Sequence, residues 1–137
     1  PFTQMSDESL RHSLRMTIAA IYRATGVRST CVRPPYGASS PRVERIANGV
    51  GLAVVIWDID SADYAVQSSS GAFYHATRAQ AGDNILAHDT WGSIWQFALP
   101  RVIEEFQSRG YRFDTVCENV RFRPLYLRWV YPGFQII

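Results

Sequence analysis

The chain has 137 residues, enough for one domain around one hydrophobic core. Apolar residues make up 47%, which excludes a disordered chain, and no apolar run approaches the ~20 residues of a membrane span. The net charge of +2, with all 14 basic residues arginine, is too small to argue for a polyanionic partner.

The elements follow in chain order. Ser6 is a good N-cap, and Asp7 and Glu8 favour the positive end of a helix. Leu10, Leu14, Ile18, Ile21 and Tyr22 then recur at helical spacing until Gly26 stops the helix. Thr30 to Arg33 reads as a short strand cut off by Pro34-Pro35. Ser40-Pro41 opens a second helix with Val43, Ile46, Ala47 and Val50 as its apolar residues. The unbroken apolar run Leu52 to Trp57 suits a strand buried on both faces of a parallel sheet. A polar loop is predicted from Asp58 to Ser70, then a helix from Phe73 to Ala81 closed by Gly82. Asn84 to His88 is a further strand. Ile94 to Arg109 is a helix with Phe97, Val102, Ile103 and Phe106 on one face, and Pro100 sits in its first turns or kinks it. Phe113 to Cys117 is a last strand.

Helix and strand thus alternate, which implies an α/β fold with parallel strands covered by helices. Four strands are too few to close a barrel of about eight, so the expectation is a small open sheet or part of a (β/α) barrel. The tail over 119–137 breaks the rhythm with arginines and aromatics interleaved. Such a mixture can bind single-stranded nucleic acid, but three tail arginines are few, and no nucleic-acid or membrane partner is expected. Cys31 and Cys117 show no metal-ligand spacing. They fit a disulfide, two buried thiols, or cysteines whose partners lie elsewhere; two buried thiols are the preferred expectation, since a free Cys packs as a small hydrophobe.

The polar groups fall in one place relative to the strands. Arg33 ends the first predicted strand, Asp58, Asp60 and Asp63 follow the second, and His88 and Asp89 end the third. In α/β folds the C-terminal strand ends are where ligands bind. Each residue alone also has a plain structural reading, an Asp after a strand being a common turn former.

Three segments carry a resemblance. Arg33-Pro34-Pro35-Tyr36-Gly37, Trp57-Asp58-Ile59-Asp60-Ser61-Ala62-Asp63-Tyr64 and Ile85-Leu86-Ala87-His88-Asp89 resemble the last three of five motifs of the polysaccharide deacetylases. The flanks Met5-Ser6-Asp7-Glu8, Ala24 to Val27, Leu99 to Glu105 and Arg109 to Phe113 are similar as well, so the resemblance covers residues 2 to 118. Asp63-Tyr64 departs from the commoner Asp-Trp but keeps an aromatic wall. The family's first two motifs, with paired aspartates and paired histidines, have no counterpart here. Pro1 to Met5 resembles the stretch after the second motif, so residues 1–118 are expected to be the C-terminal part of a catalytic domain lacking its metal ligands. His12 is expected on a solvated helix face, and His75 has no ligand spacing to His88.

The resemblance implies hydrolysis of N-acetyl groups on N-acetylglucosamine polymers, chitin or peptidoglycan, by a monomeric, secreted or cell-wall enzyme. It implies a divalent metal, zinc first, held by residues outside this sequence. His88 would be the general acid, oriented and charge-stabilised by Asp63. The Tyr36 N–H would donate to the oxyanion from a turn fixed by Pro35 and Gly37. Arg33 would tether the catalytic aspartate. Tyr64, Leu86, Pro35 and Trp91 would contact substrate. The alternative is a non-catalytic member that binds glycans through Tyr36, Tyr64 and Trp91.

Overall fold

The computed structural model describes residues 1–117, so the tail predicted over 119–137 lies outside the described residues. The described chain forms two compact units, Pro1–Ile56 joined by residues 115–117, and Trp57–Asp114.

In the first unit, α1 (Asp7–Thr25) begins where Ser6 Oγ accepts from Ser9 N–H at 3.2 Å. It ends at Gly26, whose N–H makes the last helical bond to the Tyr22 carbonyl at 2.8 Å and whose φ of 70° then turns the chain out of the helix. Leu10 and Leu14 are buried and Ile18 packs beside them. Ile21 and Tyr22, expected on the apolar face, are exposed, because the buried stripe stops after Ile18. α2 (Pro41–Asn48) is capped by Ser40 Oγ, with Pro41 in the first turn. Its Val43, Ile46 and Ala47 close the core with Leu10, Leu14, Val50 and Leu52.

β1 (Cys31–Val32) and β2 (Ala53–Val54) pair in parallel, Cys31 opposite Ala53. Both are shorter than the predicted 30–33 and 52–57. Pro34 and Pro35 have no N–H, so the ladder has nothing to continue with. Cys31 and Cys117 form a disulfide, which corrects the buried-thiol expectation. Their packing preference was a weak guide beside their placement, 86 residues apart in sequence but 5.3 Å apart between Cα atoms.

The second unit holds β3 (Ile59–Asp60) and β4 (Ile85–Leu86), again parallel, with Asp60 opposite Leu86. It also holds the one-turn helix α3 (Asp63–Val66), α4 (Ser69–Ala76) and α5 (Gly92–Ser108). The predicted loop over 58–70 is therefore a strand, a helical turn and a helix start. Local composition hid β3, whose order comes from partners distant in sequence. Asp58 and Ile59 N–H donate to the Asn84 carbonyl at 2.8 and 3.2 Å, and Asn84 N–H donates to Asp58 Oδ2 at 2.9 Å.

α4 starts four residues before the predicted Phe73, where Ser68 Oγ accepts from Gly71 N–H. Gly71 is required there: a Cβ would lie 2.8 Å from Ser68 Oγ and 2.9 Å from Val66. α5 buries Ile94, Ala98, Val102 and Phe106 at four-residue spacing, while Phe97, expected on that face, is exposed. Ala72 packs with Ile94 and Ala98, and Ala76 with Val102 and Phe106, small side chains that let α4 and α5 approach closely. Pro100 lies inside α5. The predicted strand over 113–117 does not form; Phe113 instead sets its ring edge-on to Phe106 at 5.8 Å.

Candidate active site

In the second unit the chain leaves β3 through Ser61 and Ala62 and re-enters a helical turn at Asp63. Ala62 holds the left-handed φ of 54°, a costly conformation for a residue with a side chain. Asp60 supports it: Oδ1 accepts from Ala62 N–H at 2.8 Å. The turn drives Asp63 inward until it is fully buried.

A buried carboxylate needs donors. Asp63 has four. Oδ1 meets His88 Nδ1 and Tyr64 N–H, both at 2.8 Å. Oδ2 accepts from His88 N–H at 2.8 Å and from the Trp95 indole Nε1–H at 2.7 Å. Burial pushes the Asp63 carboxyl up, but the indole, the imidazole and the two backbone donors outweigh it and hold the group below its usual range. Asp63 is therefore the ionised partner. An ionised carboxylate only accepts, so the proton in the Asp63–His88 bond sits on Nδ1. Nε2 is left as the nitrogen that exchanges protons. His88 follows the C-terminal end of β4 and is 36% exposed, so the ring is held on one side and open on the other.

Tyr64 completes the group. Its ring stands edge-on to the imidazole at 5.7 Å, and its hydroxyl donates to Asp60 Oδ2 at 3.1 Å. That hydrogen bond, with the carboxylate charge, pushes the Tyr64 hydroxyl above its ordinary range. Asp60 thus uses one oxygen on the turn and the other on the phenol.

Arg33, Pro35 and Tyr36 belong to the first unit. Pro34 is buried, and Tyr36 and Gly37 take consecutive positive φ of 60° and 66°. Gly37 and Ala38 N–H close the turn on the Pro34 and Pro35 carbonyls at 3.0 and 3.1 Å. The Tyr36 N–H is not used in that closure. Tyr36 is 87% exposed, and Arg33 is exposed too.

The structure thus brings Asp63, Tyr64 and His88 together and gathers Arg33, Pro35 and Tyr36 in one turn of the other unit. Leu86 is buried on β4. Trp91 is half-buried against Ala72, Ile94 and Ala98, so part of its ring serves packing. His12 is exposed and His75 stands edge-on to Tyr74. Among the described residues no three or more His, Cys, Asp or Glu side chains gather to hold a metal, so this part of the chain does not by itself fit one.

Sequence reasoning missed Trp95. The available signal was indirect: a buried aspartate must find several donors, and an indole one helical turn beyond Trp91 is an uncharged one.

A family model described as polysaccharide deacetylase matches residues 1–55. Over 108 residues the chain is 30% identical to the bifunctional xylanase/xylan deacetylase of Cellvibrio japonicus, covering 79% of this chain and 16% of that protein. The chain belongs to the polysaccharide deacetylase family. Another relative is the peptidoglycan-N-acetylglucosamine deacetylase PgdA of Listeria monocytogenes, 28% identical over 85% of this chain and 24% of that one. Among solved structures, the family 4 carbohydrate esterase from Streptomyces lividans in complex with acetate superposes with a TM-score of 0.74 at 30% identity. That match covers 79% of this chain and 56% of the esterase. The chain therefore spans a quarter or less of the two curated relatives and little more than half of this esterase structure.

Proposed function

We propose that this chain supplies the general-acid part of a deacetylase acting on N-acetylglucosamine polymers, chitin or peptidoglycan. The observation that carries the reading is the His88 imidazole held at Nδ1 by a buried carboxylate whose four hydrogen bonds are all made. Amide hydrolysis must expel an amine, and the nitrogen leaves only once it gains a proton. His88 Nε2 delivers that proton, while Nδ1–H stays on Asp63 and the emerging neutral imidazole keeps its orientation. Asp63 stabilises the charged ring before the transfer and fixes it afterwards.

In this reading the Tyr36 N–H, free of its own turn's closure, donates to the carbonyl oxygen as it gains charge. Arg33 tethers a catalytic aspartate, Tyr64, Pro35 and Trp91 wall the sugar, and Leu86 meets the acetyl methyl. Residues 1–118 are the C-terminal part of a (β/α) barrel catalytic domain. A divalent metal, zinc first, would polarise the acetamide and activate water; its ligands and the catalytic aspartate would come from polypeptide outside this sequence. Insoluble polymers of this kind lie outside the cell, which supports a secreted or cell-wall enzyme.

The test is deacetylation of chitin oligomers by a longer protein that includes this chain. Chelator is expected to abolish turnover, and His88→Ala to lower kcat/KM by roughly 10²- to 10⁴-fold. Turnover indifferent to both would overturn the reading, as would turnover by the 137-residue chain alone.

A further inference from the structure

The mechanism above gives the indole on Asp63 no role of its own. Trp95 is fixed from behind. It packs against the cluster of Ala76, Ala79, Val102 and Phe106 and against that of Ala72, Ile94 and Ala98. That packing alone would suit a phenylalanine. The edge that a phenylalanine lacks is the one that reaches Asp63 Oδ2, at 2.7 Å and into a site with no solvent exposure.

We propose that Trp95 is a positioning residue for proton delivery: its N–H locks the plane of the Asp63 carboxylate so that Oδ1 faces His88, and it does so without adding charge. The inference rests on the general-acid reading of His88. Oδ2 already holds the His88 backbone N–H, so rotation of the carboxylate would break two bonds at once. A cationic donor in place of the indole would fix the same oxygen but neutralise the carboxylate, and Asp63 would lose its attraction for the charged imidazole. A neutral donor leaves that charge for the ring. The titratable groups facing Asp63 are His88 from the end of β4 and Tyr64 from α3, with Asp60 of β3 bound to the phenol; α5 presents the neutral indole. The lowered Asp63 carboxyl agrees with this arrangement.

Trp95→Phe keeps most of the packing and removes the donor. In the full chain, labelled at its aspartate carboxyl carbons, the Asp63 titration is expected to move to higher pH. In the longer active protein, kcat is expected to fall about tenfold with KM unchanged and the acid limb of the pH profile displaced upward, since one hydrogen bond to a charged group is at stake. An unmoved Asp63 titration with unchanged kcat would overturn the proposal. An Asp63 shift in a protein without deacetylase turnover would instead overturn the general-acid reading and leave the indole's hold on Asp63 standing. Should the variant fail to fold, the unsubstituted chain decides. The Trp95 Nε1–H resonance, slow to exchange, is expected to shift as Asp63 takes a proton, and an Nε1–H indifferent to that protonation and fast in exchange would count against the proposal.

Discussion

The two units hold themselves together by different means. The first buries Leu10, Leu14, Val43, Ile46, Ala47, Val50 and Leu52 and ties its β1 strand to residue 117 with a disulfide. The second packs two helices through alanines and buries Ser61 and Asp63, the polar residues fully enclosed among the described residues. An apolar core tolerates its site as a surface turn, with Tyr36 standing out in solvent. A core that encloses a carboxylate must instead build its fold around that group, because four donors from three segments have to arrive together. In the second unit the site and the fold are therefore the same set of interactions.

That contrast can be broken from either side. The largest effect is expected in the first unit. A disulfide closing 86 residues removes unfolded-state freedom worth about 4 to 5 kcal/mol, so its reduction, or Cys31→Ser, should lower the denaturant midpoint by a corresponding amount. The indole and imidazole signals of the second unit are the control: if they collapse at the same point, the two units unfold together and the contrast is one of composition only. Next comes Asp63→Asn. Its amide nitrogen must face two donors on one side or the other, so two hydrogen bonds fail and about 3 kcal/mol is lost.

The same variant reads the pH dependence. The folded state holds the Asp63 carboxyl below its unfolded value, so its stabilisation is complete above about pH 4 and lost as pH falls through the folded value. Acid unfolding followed by circular dichroism should show this loss in the natural chain and a flatter acid limb in Asp63→Asn; equal limbs would contradict it. The smallest effect is at the rim. Asp60→Asn should bring the Tyr64 ionisation, followed by ultraviolet absorbance, back toward its ordinary range with little change in stability.

What the sequence made legible follows the same division. The α1 and α2 boundaries were readable because Ser6, Gly26, Ser40 and Pro41 act within one turn of themselves. The pairing of Asp63 with His88 was legible only through the family resemblance, since nothing local links residues 25 apart. Strand β3 was illegible because Asp58, Asp60 and Asp63 mask it, and its partners are Asn84 and Leu86. Trp95 escaped for the same reason: only the position of Asp63 shows what its nitrogen is for.

Asp60 has one further consequence. Because one of its oxygens holds the Ala62 turn and the other the Tyr64 phenol, positions 60 and 64 form a linked pair for redesign. A larger aromatic ring at 64 would strand half of that carboxylate. The companion change to try is an asparagine or serine at 60, which can still cap the turn while releasing the ring.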